Sequence, residues 1–307
     1  MIEGQEGVSW DEWRALADAC ERHGLEGLFR SDHYLSLIGG EQRGSLDAWA
    51  TLAGLAALTS RIRLGTMVSP VTFRHPSQLA KVAATVDHVS GGRVEVGLGA
   101  GWNEREHRAY GFDFPELAVR MELFAEQLEL IHRQWTEDEV DFTGRHYSTE
   151  RLRALPRPVQ SPRPRLIVGG RGRPGTVEPA VRFADEYNTL GGPVDELERR
   201  RAVLDEACRR HDRDPSTLTF SLMTGCVIGA DAGEVNERAG RVQDRMGSGG
   251  DAGELVREHR DTWIIGTVDE VHARLDELEH AGVERVFLQH LDHADLDAVA
   301  LMGQLAS

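Results

Sequence analysis

The sequence predicts an α/β fold in which a parallel sheet is covered by helical crossovers. Two observations lead to this class: short apolar runs typical of buried strands alternate with longer amphipathic runs, and no long structureless gap separates them. The chain has 307 residues. A (β/α)8 TIM barrel takes about 250 residues, so one barrel with roughly 50 residues of insertions fits this length as well as two domains do.

The candidate strands are short buried runs, and seven of them are visible. They cover residues 27–30, 61–68, 93–98, 165–168, 186–190, 217–228 and 285–289. The eighth strand of a barrel would come first, where only Met1, Ile2 and Glu3 are available. We therefore expect the first strand to be shortened or clipped by the start of the sequence.

Helices are expected between the strands, at residues 10–22, 46–59, 76–89, 115–135, 177–184, 194–211, 268–281 and 296–305. In the fourth of these, apolar residues recur with alternating spacings of four and three from Leu117 to Trp135, which defines one buried face. Thr267 and Glu270 form a capping-box pattern at the start of the seventh.

Two stretches interrupt the alternation. Residues 136–164 are an insertion, and the segment from Asp141 to Tyr147 is typical of a small hairpin. The stretch around residues 230–262 is expected to be loop-rich, because glycines cluster between Met246 and Gly250. We expect residues 230–261 and the loop of residues 35–43 to shape the substrate pocket.

Composition limits the function. The formal net charge is −16, which disfavours nucleic acid and anionic membrane surfaces as partners. No apolar run of about 18 residues and no secretory leader is visible, so we expect no membrane association and a cytoplasmic location. Cys20, Cys208 and Cys226 are scattered, as in a reduced protein, and no spacing of ligands favours a metal site.

In a barrel, catalytic residues follow the strands at one rim. Asp32 and His33 follow the second strand, and a carboxylate beside an imidazole suits proton transfer near neutral pH. The simpler alternative is a capped loop with a structural histidine. After the third strand, the small residues and proline between Gly65 and Pro76 indicate an irregular backbone such as a bulge.

The loop from Gly97 to Glu104 looks like a glycine-rich dinucleotide loop, but Trp102 replaces the third glycine and the loop follows the fourth strand. We reject that fingerprint and interpret the loop as a place where backbone approaches a flat ligand. Gly99, Gly101 and Asn103 are therefore candidate cofactor contacts.

The loop from Gly169 to Gly175 precedes a helix that Thr176 is expected to cap. Free backbone N–H groups and arginine side chains favour a phosphate cradle, with Gly169, Gly170 and Arg171 as candidate contacts. Glu178 in the first turn opposes anion binding, and the alternative is a flexible glycine loop.

These motifs together resemble the bacterial luciferase-like superfamily, and the similarity runs through nearly the whole chain. Within it, they are most similar to the deazaflavin (coenzyme F-420) dependent oxidoreductases. The residues that carry the resemblance are 30–34, 62–66, 73–76, 90–93, 97–104, 167–170 and 183–188, with the opening residues 1–5 supporting the subgroup.

The resemblance implies one (β/α)8 barrel domain over residues 1–307, paired as a homodimer, that uses F-420 to transfer a hydride to or from a small organic substrate. A deazaflavin moves hydride in two-electron steps and reacts poorly with oxygen. The first alternative is an FMN-dependent luciferase-like monooxygenase on the same barrel. The second is a non-catalytic flavin-binding protein.

The resemblance also implies roles for single positions. Asp32 matches a residue that contacts the deazaflavin ring, and His33 matches the active-site histidine beside the hydride-accepting carbon, so both are expected to be catalytic. Met67 and Val68 match a cis peptide bond without proline that supports the ring from behind. Gly169 and Gly170 match phosphate-binding backbone.

Two positions depart from the sugar-phosphate dehydrogenases of this family. Those enzymes carry a tryptophan a few residues after the histidine, where this chain has Leu35-Ser36-Leu37. Their acidic residue in the fourth-strand loop corresponds to Trp102. The departures imply that glucose 6-phosphate is not the substrate.

Overall fold

A computed structural model describes residues 1–38, 43–247 and 249–306 of the chain. The strands in these residues are β1 (Gly27–Arg30), β2 (Arg63–Thr66), β3 (Ser69–Pro70), β4 (Val94–Gly99), β5 (Val140–Thr143), β6 (Ser148–Leu152), β7 (Arg165–Gly169), β8 (Glu186–Leu190), β9 (Thr219–Gly229), β10 (Ile264–Thr267) and β11 (Arg285–Gln289). The seven predicted strands are confirmed, apart from shifts at their ends.

The helices that cover the sheet are α1 (Trp10–Arg22), α2 (Ala48–Leu58), α3 (Pro76–Ser90), α4 (Glu104–Tyr110), α5 (Leu117–Thr136), α6 (Pro174–Phe183), α7 (Val194–Arg210), α8 (Ala232–Met246), α9 (Ala252–His259), α10 (Val268–His280) and α11 (Leu296–Gly303). The eight predicted helices are among them. Each helix in the described ranges falls short of the length or the hydropathy that a bilayer span requires.

The strands form a parallel sheet in the order β1-β2-β4-β7-β8-β9, which curls into a barrel. Strand β9 pairs with β8 along one edge, and along its other edge it pairs with two strands, β11 and β10. Residues 221–225 pair with β11, and residues 226–229 pair with β10. A short strand, β3, pairs with the end of β4 after an irregular turn, so the predicted bulge after the third strand is confirmed.

The first two residues lie between β1 and β11. The Ile2 N–H donates to Phe29 O at 2.9 Å, and the Met1 ammonium donates to Leu288 O at 2.9 Å. A single parallel bridge, between Ile2 and Arg30, takes the place of a first strand. The expectation of a shortened first strand matches this arrangement.

Alternation along the strands separates two apolar regions. Leu166 and Val168 of β7 join the main core, in which helices such as α1, α2 and α5 cover the sheet. Ile167, between them, packs with Phe29, Met67 and Phe287 in the interior of the barrel. The sheet is therefore buried on both faces, which explains why its strands are almost continuously apolar.

The insertion forms the predicted hairpin, with β5 and β6 paired antiparallel. The expectation of a loop-rich stretch at 230–262 is wrong, because α8 and α9 occupy most of it. Asp231 and Asp251 cap the two helices, and Gly247, at φ 67°, ends the first. The glycine cluster is thus the turn between two helices, which pack on Val227 of β9 in a small separate core.

Candidate active site

The carboxyl ends of the strands surround a cavity of about 1010 Å3. Its volume exceeds the several hundred Å3 of a typical ligand pocket and leaves room for a cofactor and a substrate together. Residues at or after the ends of β1, β2, β4, β7 and β8, together with residues 223–225 inside β9, supply its wall. The predicted site residues that line it are His33, Met67, Val68, Gly99, Gly101, Asn103, Gly169, Gly170 and Arg171.

His33 is held by a buried carboxylate. Its Nδ1 donates to Oε2 of Glu106 at 2.7 Å, and the Glu106 side chain is fully buried. The other oxygen, Oε1, accepts the backbone N–H groups of Tyr34 and Leu35, the latter at 3.1 Å. Glu106 therefore fixes both the ring of His33 and the loop that carries it, and Nε2 remains as the ring nitrogen available to a ligand.

The contact between His33 and Glu106 shifts the pKa of both groups. Burial would lower the pKa of His33, but the hydrogen bond and charge of Glu106 outweigh it and raise that pKa above its ordinary value. Burial would raise the pKa of Glu106, but His33 and the backbone donors hold it below its ordinary value. The contact thus favours the protonated form of His33 and the ionised form of Glu106.

Asp32 does not line the cavity, which corrects the expectation that it lies beside His33 in the site. Its side chain is 1% exposed and forms an ion pair with Arg74. It also accepts the hydroxyl hydrogen of Ser69 at 2.5 Å. Neighbouring residues leaving a strand point in opposite directions, so Asp32 faces the base of α3 while His33 faces the ligand space.

The peptide bond between Met67 and Val68 is cis, as predicted. It brings the Val68 side chain over the ends of the neighbouring strands. A Cβ atom at Gly169 would lie 3.2 Å from Val68 Cγ1, and one at Gly99 would lie 2.7 Å from Val68 Cγ2. Glycine at the ends of β4 and β7 therefore leaves space for the Val68 side chain.

Asn103 presents an unsatisfied donor. It lines the cavity, is 7% exposed, and its Nδ2 has no hydrogen-bond partner among the described residues. Its Oδ1 accepts the N–H of Glu106 at 3.4 Å as the cap of α4, and Gly101 before it has φ 77°. A buried amide without a partner is uncommon and indicates a ligand that supplies an acceptor.

The loop after β7 is held by Tyr187, whose hydroxyl accepts the Gly172 N–H at 2.9 Å and lies 2.7 Å from the Thr176 hydroxyl. The expected cap at Thr176 is wrong, because α6 begins one turn earlier with Arg173 as its N-cap and with no side-chain cap. Glu178 pairs with Arg210 at 2.6 Å and does not oppose an anion at this helix end.

Arg171 is exposed on the cavity wall, and in the described part of the chain its guanidinium makes no ion pair or hydrogen bond. Its side chain is therefore a place where an anionic group could bind. The expected free backbone donors are fewer, because the Gly170 N–H donates to Asn188 O at 2.9 Å and the Gly172 N–H donates to the Tyr187 hydroxyl. No group of three or more metal-ligating side chains lies together in the described residues.

The loops of residues 35–43 and 230–261 were expected to shape the pocket, and of their described residues only Leu37 lines it. Leu37 lines the cavity, while residues 39–42 of the first loop lie outside the described residues. The stretch of residues 230–261 supplies none of the lining residues. Instead, Thr262 and Trp263 reach the wall directly after it, and Trp263 stacks on His259 with ring centroids 4.0 Å apart.

Sequence reasoning missed Glu106 because helix α4 was not predicted. The only signal was Asn103 three residues before it, which is the spacing of a capping box. That pattern predicts a glutamate that turns back to its own helix end. The structure instead turns the Glu106 carboxylate to a loop 73 residues earlier in the chain.

Comparison with known proteins identifies the family. Residues 2–285 match the family model described as luciferase-like monooxygenase. The F-420-dependent glucose-6-phosphate dehydrogenase of Nakamurella multipartita is 35% identical over 185 residues, which is 59% of this chain and 52% of that protein. The match therefore spans about half the length of such relatives.

Two solved structures share the fold over almost the whole chain. Monooxygenase RslO1 from Streptomyces bottropensis superimposes with a TM-score of 0.83 at 25% identity, covering 99% of this chain and 93% of that one. The coenzyme F-420-dependent tetrahydromethanopterin reductase of Methanopyrus kandleri gives 0.79 at 20% identity, covering 99% and 96%. With a family match that includes nearly all of its residues, this chain belongs to the luciferase-like monooxygenase family, a family of oxidoreductases.

Proposed function

We propose that the chain is a deazaflavin (F-420) dependent oxidoreductase that transfers a hydride between the cofactor and a small organic substrate. The observation that carries the proposal is His33, held by buried Glu106 on the wall of a cavity large enough for both ligands. Relatives named as F-420-dependent dehydrogenases, at 33–35% identity, support the choice of cofactor.

The residues present fit such a group. The unsatisfied Asn103 Nδ2 would donate to a polar atom of the ring, and Met67 and Val68 would support its face. The Arg171 side chain would bind the phosphate, which would lie beside Gly169 and Gly170 on the cavity wall. When bound, the cofactor supplies two-electron hydride chemistry, and the protein supplies binding, orientation and the proton.

His33 would handle that proton. Its raised pKa favours the protonated ring, from which Nε2–H can donate a proton to a carbonyl oxygen of the substrate. In the reverse direction, Nε2 of the neutral ring would accept that proton. Glu106 would compensate the positive charge of the protonated ring. Asp32 would act as a positioning residue, since it touches Ser69 and Arg74 rather than the cavity.

Three further expectations stay predictions. The departure at Trp102 continues to favour a substrate other than glucose 6-phosphate, although relatives with that activity are similar in sequence. Pairing as a homodimer and a cytoplasmic location are the other two.

Titration of the purified apoprotein with oxidised F-420 and with FMN tests the proposal. We expect F-420 to bind at least roughly tenfold more tightly, which corresponds to about 1.4 kcal/mol. Asn103→Ala should weaken that binding, because it removes the unsatisfied donor. Glu104→Ala is the matched control, since Glu104 is the exposed neighbour on α4.

Other outcomes have distinct meanings. Tight binding of FMN without F-420 would replace the proposal with the FMN-dependent monooxygenase. Tight binding of F-420 with no turnover of any hydride donor or acceptor would indicate a non-catalytic flavin-binding protein. Binding of neither cofactor would contradict all three functions.

A further inference from the structure

The cavity wall is divided by charge. Its arginines, Arg171 and Arg200, come from the loop after β7 and from α7. The Arg200 guanidinium is already engaged, since it donates to Thr189 Oγ1 at 2.7 Å and to Leu190 O at 2.8 Å and pairs with Glu196. Arg171 belongs to the anion-binding place described above.

The part of the wall that carries His33 is different. Its charged side chains in the described residues are Glu3 and Glu106. The pair of His33 with Glu106 has no net charge when the ring is protonated. Glu3 adds a negative charge, and its oxygens accept the amides of Gln5, at 2.6 Å, and Gln289. An anionic substrate placed at His33 would lose its hydration and meet the carboxylate of Glu3, while the only cation offered there by the described residues is an imidazolium whose charge Glu106 already balances.

Trp102 supplies an apolar surface that an uncharged substrate at His33 could contact. Its side chain is 66% exposed and lines the cavity, and its ring meets His33 edge-on with centroids 5.8 Å apart. Leu37 lines the same part of the wall. An exposed indole beside a catalytic imidazole favours a flat apolar ligand, because a ring or conjugated system covers aromatic surface best.

We propose that the substrate is an uncharged molecule with an aromatic or conjugated portion, which lies against Trp102 and presents a carbonyl oxygen to His33. This inference rests on the proposed function for the identity of the reacting centre. It names Trp102 as the residue that determines specificity.

Two almost isosteric probes test the inference: 4-phenylbut-3-en-2-one, which is neutral, and cinnamate, in which a carboxylate oxygen replaces the methyl group. Calorimetric titration uses protein saturated with oxidised F-420, so that neither probe is reduced. We expect the neutral ketone to bind at least roughly tenfold more tightly than cinnamate.

Two variants test whether the Trp102 indole causes the preference for the neutral ketone. Trp102→Ala should weaken binding of the ketone by roughly tenfold, with a smaller effect on cinnamate and on F-420. Trp10→Ala is the matched control, because Trp10 is also partly exposed but packs over Gly54 outside the cavity. Equal binding of the two probes, or equal effects of the two variants, would overturn the inference.

The same titration separates this inference from the proposed function. If F-420 does not bind, the proposed function fails, and the two probes are titrated against the FMN complex or the apoprotein. A neutral preference that depends on Trp102 would still support the substrate class there. Loss of the preference in every form of the protein would overturn it.

Discussion

Glu106 of α4 accepts a hydrogen bond from His33 at 2.7 Å, and the two residues lie 73 positions apart in the chain. The carboxylate is fully buried, while the imidazole is at the cavity wall. This contact sets the charge and the direction of the ring that we propose to be catalytic.

Replacing Glu106 by glutamine should lower the pKa of His33. The neutral amide removes the charge that opposes desolvation, so burial then dominates and favours the neutral ring. An NMR titration of the imidazole in the apoprotein measures the shift directly. His75, whose pKa burial lowers without a carboxylate partner, is the internal control and should not move. An unchanged His33 pKa would contradict the assigned role of Glu106.

His33→Ala should lower kcat by roughly 10²–10⁴ while F-420 still binds, because it removes the proton donor from the transition state. Single-turnover hydride transfer and cofactor dissociation constants measure the two effects separately. If His33 only caps the loop, the variant would lose stability and keep its rate.

Asp32→Ala should destabilise the fold by about 3 kcal/mol, because it leaves the partly buried Arg74 without its closest partner. Chemical denaturation measures this loss of free energy of unfolding. The control is Glu104→Ala, which breaks an exposed pair with Arg108 and should change stability little. Unchanged stability together with lost cofactor affinity would instead return Asp32 to the direct contact expected from the sequence.

His290 should make stability fall in mild acid. Burial lowers its pKa from 6.5 to about 4, so the unfolded chain binds the proton more readily than the folded one. The contribution is complete above pH 6.5 and is lost as the pH falls towards 4, amounting to about 3 kcal/mol. Unfolding experiments across this range should show a steeper decline for the natural chain than for His290→Asn. Parallel curves would be inconsistent with a neutral buried ring.

Much of the fold follows from local patterns. Helices such as α5 show the periodicity of one buried face, and strands such as β7 are short, continuously apolar runs. The cis bond after Met67 was predicted from a resemblance over Gly65–Pro76. Nine of the ten predicted site residues line the cavity, because parallel strands bring their carboxyl ends to one rim.

The remaining features depend on contacts that spacing does not encode. Asp32 was assigned to the cavity from its position after a strand and from the resemblance, and its ion pair with Arg74, 42 residues away, was not predicted. Glu106 was not predicted at all, since its contact with His33 joins residues 73 positions apart. The glycines near Met246 predicted a loop, whereas the flanking Asp231 and Asp251 are helix caps whose effect depends on the sequence after them.

The small core formed by α8, α9 and the end of β9 has a consequence for motion. Helices α8 and α9 pack with Val227 in a small core separate from the main one, so they can open as one unit while the barrel stays folded. Trp263 packs against that small core and also lines the cavity. A ligand that touches Trp263 therefore raises the free energy of that opening, and amide hydrogens of α8 and α9 should exchange more slowly when the cavity is filled.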